Sequence, residues 1–589
     1  MTDYAAPLEE MRFVLAEIAG LPDLAMLPGL DHASADVTDA VLQGAAQLAG
    51  EVLAPLNRIG DRERSIYENG VVRTPTGFKD AYRRYAEGGW SGMSVDAVHG
   101  GQGLPAAIAT AVFEMWTSAN MAFALCPLLS LSAIELLTQI GTAEQRRTYL
   151  PKLVAGEWTG TMNLTEPQAG SDLGALRSRA VREGDRYRIT GQKIFITYGE
   201  HDLAENIIHL VLARLPDAPP GSKGISLFLV PKFLIKEDGS LGARNDLRCI
   251  RLEEKLGIHA SPTCVMSYGE DGGATGYLVG AENRGLEGMF IMMNNARLHV
   301  GLEGVAIAER AYQQARAFAR ERVQGKPVTA RDGQKLPILH HPDVRRMLLS
   351  MRAATEAARA LAYYTAGETD RARHHPDSAR REAAQARVDL LTPVVKAWCT
   401  DIGVEVASTG IQVHGGMGFI EETGAAQHLR DARIAPIYEG TNGIQANDLV
   451  GRKLARDGGA SAAALIGDMR RMLPHADADV AEHLAQGIDA LDRAGRYLVG
   501  AYATHPADAL AGAEPYLKLL GNVAGGWLLA QSAAAARRRL AAGDSDKRFL
   551  EAKIATCRFF AAHRLALAPA LLPAVTGGAT VMGFDLETL

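Results

Sequence analysis

The chain has 589 residues, 47% of them hydrophobic and 22% charged, with a formal net charge of −6; that is an ordinary globular composition, too long for one small core and sized for about three or four packed units. The acidic balance disfavours nucleic acid or an anionic membrane surface as a partner for the chain as a whole. Five cysteines, Cys126, Cys249, Cys264, Cys399 and Cys557, stand far apart with no C-x-x-C pair, which suits a reducing cytoplasm and excludes a structural zinc of the usual spacing.

The opening MTDYAAPLEEMRF carries early acids and no apolar core, so no secretory signal is expected, and no run reaches the length of a membrane span. Residues 1–156 read as an α-helical domain: in DVTDAVLQGAAQLAGEVLAPL (36–56) and LLSLSAIELLTQIGTAEQRRTYLPKLV (128–154) apolar residues recur at three and four. Residues 157–283 turn β-rich, with RYRITGQKIFIT, NIIHLVLARL, GISLFLVP and TGYLVG split by PDAPPGSKG and EDGSLGARND; an antiparallel sheet or small barrel is expected. Residues 284–459 return to long helices suited to a bundle, interrupted by GKPVTARDGQKLPILHHPD. An Ala-rich helical stretch fills 460–589 as an extra domain, with HADADVAEH as a linker inside it. The fold class expected is therefore α+β: a helical domain, a middle β domain, a helical bundle and a further helical domain.

Common signatures are missing. There is no G-x-G-x-x-G or G-x-x-x-x-G-K-[ST], which argues against Rossmann and P-loop proteins, and no H-E-x-x-H or G-x-S-x-G. The cluster His475, Asp477, Asp479, Glu482 and His483 reads as a solvated loop with an Asp N-cap rather than a metal site. The two HHPD stretches, 340–343 and 374–377, read as helix starts with Pro at N1, and Arg537–Arg539 as a charged helix face. No metal is expected.

Two stretches of the β-rich region invite a flat ligand. In MNLTEPQAGSDLGALRSRA (162–180), Thr165, Pro167, Gly170 and Ser171 make a turn rich in hydroxyls and backbone N–H groups, able to meet a polar ring edge or a pyrophosphate. In GQKIFITYG (191–199), Phe195 and Thr197 share a strand face, an aromatic beside a hydroxyl. Together these resemble the acyl-CoA dehydrogenase family, whose flavin-binding middle domain carries T-E-P-x-A-G-S-D and G-x-K-x-[WF]-I-T-N-G; Tyr198 stands here for the usual Asn. ARERVQGK (319–326) and GIQVHGGMGFIEE (410–422) continue the resemblance in the family's order, over roughly residues 40–455. The resemblance implies FAD as cofactor, held by Met162, Leu164, Thr165, Gly170, Ser171, Phe195, Thr197, Arg322, Gln324 and Thr441. Gln412, Gly415 and Gly416 would reach the FAD of a neighbouring subunit, so a homodimer is implied.

IAPIYEGTNGIQ (434–445) holds one acid, Glu439, between Tyr438 and Gly440. The resemblance places the catalytic base at Glu439. A thioester's α C–H is weakly acidic, so a carboxylate beside it, with its pKa raised by burial, is the chemistry needed. Ser171, Asn294, Arg297, Tyr438 and Gly440 are implied in substrate binding. Some members take the base from the residue before the arginine matched by Arg297; here that residue is Ala296, which accepts no proton. Asn294 and Gly443 depart from the family's Asp and Gln.

The length and helical tail resemble the C-terminally extended bacterial branch of the family. That implies α,β-dehydrogenation of a short or medium straight acyl-CoA, 3-methylmercaptopropionyl-CoA among them, to the trans-2-enoyl thioester, with an electron-transferring flavoprotein as acceptor and a cytoplasmic location. General fatty acyl-CoA oxidation and an acyl-CoA oxidase stay open as alternatives, as does a DNA-associated flavoprotein on the same scaffold; beyond residue 460 the charges roughly cancel, which disfavours the last.

Overall fold

A computed structural model describes residues 4–328, 330 and 334–588, so part of the 325–343 loop lies outside the described residues. The chain forms two compact units, one of Met1–Ala46, Pro105–Ser118 and Arg297–Leu589, the other of Gln47–Leu104 and Ala119–Ala296.

The second unit is built on an eight-stranded sheet. Seven strands run in the order Leu247–Leu252, Thr263–Tyr268, Arg186–Thr197, Ala274–Leu278, Ile225–Pro231, Asn206–Arg214, Trp158–Asn163; Arg179–Glu183 pairs with both Arg186–Thr197 and Asn206–Arg214. The sheet is not purely antiparallel as expected, because Trp158–Asn163 lies parallel to Asn206–Arg214. Parallel pairing needs a long crossover, and the chain between these strands contains the whole 164–205 stretch. Ile225–Pro231 and Trp158–Asn163 are buried along their full length. On one side Ile189, Val211, Phe228 and Val230 join a single apolar cluster. Elsewhere the Met121–Ile140 helix closes on Trp158–Asn163 at Gly160, whose N–H donates to Ser130 Oγ at 3.1 Å. A Cβ on Gly160 would sit 2.4 Å from that of Ala133, so only glycine admits the helix.

That packing explains a departure from expectation. Met121–Ile140 and Lys547–Thr576 are long and apolar enough to cross a membrane, although no such run was expected. For the first the reason is burial: 83% of its most apolar window is inside the protein. The helical run expected from 128 to 154 is two helices, broken at Gly141 by a capping box in which Thr142 and Gln145 satisfy each other's backbone N–H. A hairpin, Ile66–Glu68 with Val71–Arg73, also interrupts the region expected to be helical. Its Asn69-Gly70 turn has both residues at positive φ, the tight-turn signature that helical periodicity overlooks.

The other unit is a bundle. Its long helices are Gly285–Glu321 from Arg297 onward, Pro342–His374 and Ser378–His414, followed by Ala460–Met472, Ala478–Thr504, Ala513–Ala541 and Lys547–His563. Two helices meet almost backbone to backbone at Gly304, where a Cβ would lie 2.0 Å from the Cys399 carbonyl. The helices after 460 are docked on the bundle by apolar and charged contacts. Gly521 abuts the Trp398 ring, and the buried Lys553 ammonium donates to Glu10 and Glu356 at 2.7 Å each. HADADVAEH is no linker: Asp477 is the N-cap position of Ala478–Thr504, and its carboxylate takes Arg537 and Arg558 instead of capping. Pro342 starts its helix at N1 as expected. In the second HHPD the start is shifted, with Asp377 as N-cap and Pro376 before it.

Candidate active site

In the sheet unit the two motifs come together. Lys193, fully buried, donates to Leu164 O at 3.0 Å and to Glu166 Oε1 at 2.8 Å. Glu166 also accepts from the backbone N–H of Arg177 at 2.6 Å and Ser178 at 3.0 Å. Burial alone would raise the Glu166 carboxyl, but Lys193 and these donors bring it down to about 2. Burial in turn pushes Lys193 down to about 8 against the pull of Glu166. The pair pins the 164–178 loop to the strand, and Ile194 N–H to Thr165 O at 2.9 Å completes the seam.

Strand alternation predicts that Phe195 and Thr197 share a face, and buried Ile196 lies between them. The regular register does not persist, because pairing slips between Cys264 and Met266, and Phe195 sits at φ +61°. Such a bulge re-aims a side chain. Phe195 is left 58% exposed, with Thr197 half-buried and its carbonyl accepting from Thr161 Oγ1 at 2.7 Å. Tyr198 follows at φ +51°, where the family's Asn would be at ease; its hydroxyl donates to Ala122 O at 2.7 Å, which anchors the substitute. Met162 is buried, Leu164 and Thr165 half-buried, and Gly170 and Ser171 exposed. An exposed aromatic face in a strained bulge beside a hydroxyl-rich loop fits a flat heterocycle. Asn294 is exposed in this unit.

The bundle unit carries Glu439. Its backbone is left-handed, φ +55°, a conformation that costs a non-glycine residue on the order of 1 kcal/mol and persists only where neighbours enforce it. They are identifiable. Arg297 Nε donates to the Glu439 carbonyl at 3.3 Å, and buried Gln445 Nε2 donates to the Glu439 and Gly440 carbonyls at 3.2 Å each. Tyr438 donates its hydroxyl to Glu303. Asn442 bonds Lys396 Nζ at 2.8 Å and Asp401 Oδ1 at 2.8 Å. Gly440, at φ +84°, has room for no Cβ, since Gln445 Nε2 would be 2.7 Å away. Among the described residues no hydrogen bond reaches the Glu439 carboxylate, so it is free to accept a proton. Burial raises its pKa, opposed by Arg297 and Lys396. Ala296 is fully buried and inert. Thr441 caps the next helix, its hydroxyl accepting from Ile444 N–H at 3.2 Å, which leaves its own proton to donate.

The remaining residues lie elsewhere in this unit. Phe318 stacks on His414 at 4.5 Å, so Arg322 and Gln324 share one end of the bundle with Gln412, Gly415 and Gly416, all exposed. Glu303, which marks the level of Glu439, is 19 residues before Arg322, about 28 Å along a helix. Sequence reasoning missed Glu166, Lys193, Glu303, Lys396, Asn442 and Gln445. Lys193, Glu166, Asn442 and Gln445 carried a signal, since all four stand inside the matched motifs; Glu303 and Lys396 carried none.

Comparison with known proteins gives the family. Four family models match in sequence: the N-terminal, middle and C-terminal domains of acyl-CoA dehydrogenase at 38–157, 161–269 and 283–454, and an acetyl-CoA dehydrogenase C-terminal-like domain at 464–585. The chain belongs to the acyl-CoA dehydrogenase family and is an FAD-dependent oxidoreductase. More particularly, it is 51% identical to the 3-methylmercaptopropionyl-CoA dehydrogenase of Ruegeria pomeroyi over 95% of either chain. It is 34% identical to a broad-specificity linear acyl-CoA dehydrogenase of Mycobacterium tuberculosis over 96% of either. The fold is also that of ACDH-11 from Caenorhabditis elegans, with a TM-score of 0.75 at 19% identity, covering 100% of this chain and 97% of that one.

Proposed function

We propose that this dehydrogenase acts on a short- to medium-chain straight acyl-CoA, 3-methylmercaptopropionyl-CoA or a thioester of similar shape, with Glu439 as the base that takes the α-proton. The observation that carries the reading is the Glu439 carboxylate itself, in a left-handed turn held by the Arg297 and Gln445 side chains and, among the described residues, left without a hydrogen bond. Burial makes it more basic, and Arg297 and Lys396 keep it ionised enough to act. Tyr438 and Gly440 border the position where the α-carbon would lie, with Ser171, Asn294 and Arg297 assigned to the rest of the thioester. FAD bound here would supply the acceptor for the β-hydrogen leaving as hydride. Thr165, Ser171, Phe195 and Thr197, with Met162, Leu164 and Gly170, would hold it.

The roughly 28 Å between the level of Glu439 and Arg322 supports a second copy of the chain: Arg322, Gln324, Gln412, Gly415 and Gly416 would then serve the cofactor of a neighbouring subunit. Exposed Met417, Phe419 and Ile420 beside them favour a covered surface. Domain limits at 156, 283 and 459, an electron-transferring flavoprotein as acceptor and a cytoplasmic site complete the reading.

The deciding experiment compares kcat/KM for 3-methylmercaptopropionyl-CoA, butyryl-CoA, octanoyl-CoA and palmitoyl-CoA with an artificial acceptor. Preference for the first three supports the proposal, and clear preference for palmitoyl-CoA refutes it. Turnover with O₂ alone at the same rate would make the protein an oxidase.

A further inference from the structure

Beneath the Glu439 turn lies a second carboxyl with no assigned role. Glu303, 1% exposed on the Gly285–Glu321 helix, accepts the Tyr438 hydroxyl on Oε2, while its Oε1 is buried without a hydrogen-bond partner. The titratable groups acting on it are Tyr438 and Glu439 on the turn and Lys396 on the Ser378–His414 helix; Asp401 and Arg297 act on Lys396, and Asp448 on Arg297, one step further out. An ionised carboxylate would be expected to fill both oxygens with donors. With one oxygen given no donor, a negative charge on Glu303 is poorly stabilised, which favours the protonated acid beside the base.

We propose that Glu303 is a positioning residue for the base: through Tyr438 it holds the strained Glu439 turn, and its own proton keeps a second negative charge away from Glu439 at neutral pH. The idea rests on Glu439 being the base. Burial, with the Glu439 charge adding to it, pushes the Glu303 carboxyl up to about 8, the Tyr438 hydrogen bond and Lys396 opposing. Above that pH a second anion appears beside Glu439 and makes it more basic.

Two arms test this on the FAD-loaded protein. In the first, the rate of anaerobic flavin bleaching by acyl-CoA is followed from pH 5.5 to 9.5. Wild type should show, beside the Glu439 limb, an inflection near pH 8, worth up to about tenfold for a coupling of one pK unit. Glu303→Gln, which still accepts the Tyr438 hydroxyl, should lose it. Tyr438→Phe should move it to higher pH, because the donor that favours the ionised form is gone. In the second arm, which needs no substrate, Tm is measured from pH 5 to 7. The folded protein holds a proton on Glu303 that the unfolded chain has released above 4.5, so wild type loses stability from this group as pH rises, and its Tm should fall relative to that of Glu303→Gln, which has no such proton. An inflection that survives in Glu303→Gln, or a Tm difference flat with pH, overturns the proposal. If no acyl-CoA bleaches wild type, the function reading fails and the Tm arm alone decides Glu303.

Discussion

Replacing Lys193 with methionine tests how the flavin loop is held. The wild-type pair is close to balanced: moving a carboxyl from 4.5 to about 2 favours its charged form by about 3 kcal/mol, and moving a lysine from 10.5 to about 8 disfavours its charge by about as much. The pair therefore adds little net stability, but breaking it is expensive. In Lys193→Met the Glu166 carboxylate keeps the Arg177 and Ser178 N–H groups and loses its counter-charge, which should cost roughly 3–5 kcal/mol at pH 7. In wild type the Glu166 contribution is complete above 4.5 and is lost as pH falls toward 2; in the variant the carboxyl titrates higher, so the deficit shrinks as pH falls toward 4. Urea midpoints across pH 4–8 read the stability, and flavin fluorescence reads FAD affinity. The double variant Glu166→Leu/Lys193→Met should regain most of the stability while FAD binding stays weak, because the tie to Leu164 O is gone. Single substitutions costing under about 1 kcal/mol would refute a buried pair.

Phe195→Ala removes the exposed aromatic face of the bulge and should weaken FAD binding by about 1 kcal/mol or more, read by fluorescence titration. Gly440→Ala puts a Cβ at φ +84° against Gln445; flavin reduction should slow at least tenfold with FAD still bound, whereas unchanged kinetics would mean that the turn is not as drawn. Sedimentation should give at least a dimer at working concentration, and Phe419→Glu should weaken it; a fully active monomer would remove the cross-subunit assignment.

Much of the fold was legible because helical and strand periodicities record which face is buried. The β region between 157 and 283 and the long helices from 285 onward were visible in this way. The parallel pairing of Trp158–Asn163 was not, since register and direction depend on partners distant in sequence. Met121–Ile140 misled in the opposite sense, as a helix buried on nearly every side has no polar face to announce it. At the site, motif order gave Glu439, Thr165 and Phe195. What periodicity and motif could not give were the supports: Glu303 and Lys396 lie in long helical runs, Gln445 closes the motif with no role marked for it, and only the folded contacts bring them under the turn.

The central claim is that Glu439 takes the α-proton, and Glu439→Gln with anaerobic stopped-flow flavin reduction tests it most directly. The amide keeps the size and the backbone bonds from Arg297 and Gln445, so FAD and acyl-CoA should still bind and perturb the flavin spectrum. Bleaching should slow by about 10²–10⁴-fold, the usual worth of a positioned general base, with Ala296 offering no replacement. Reduction at close to the wild-type rate would mean the proton goes elsewhere, and the account of this site would be wrong.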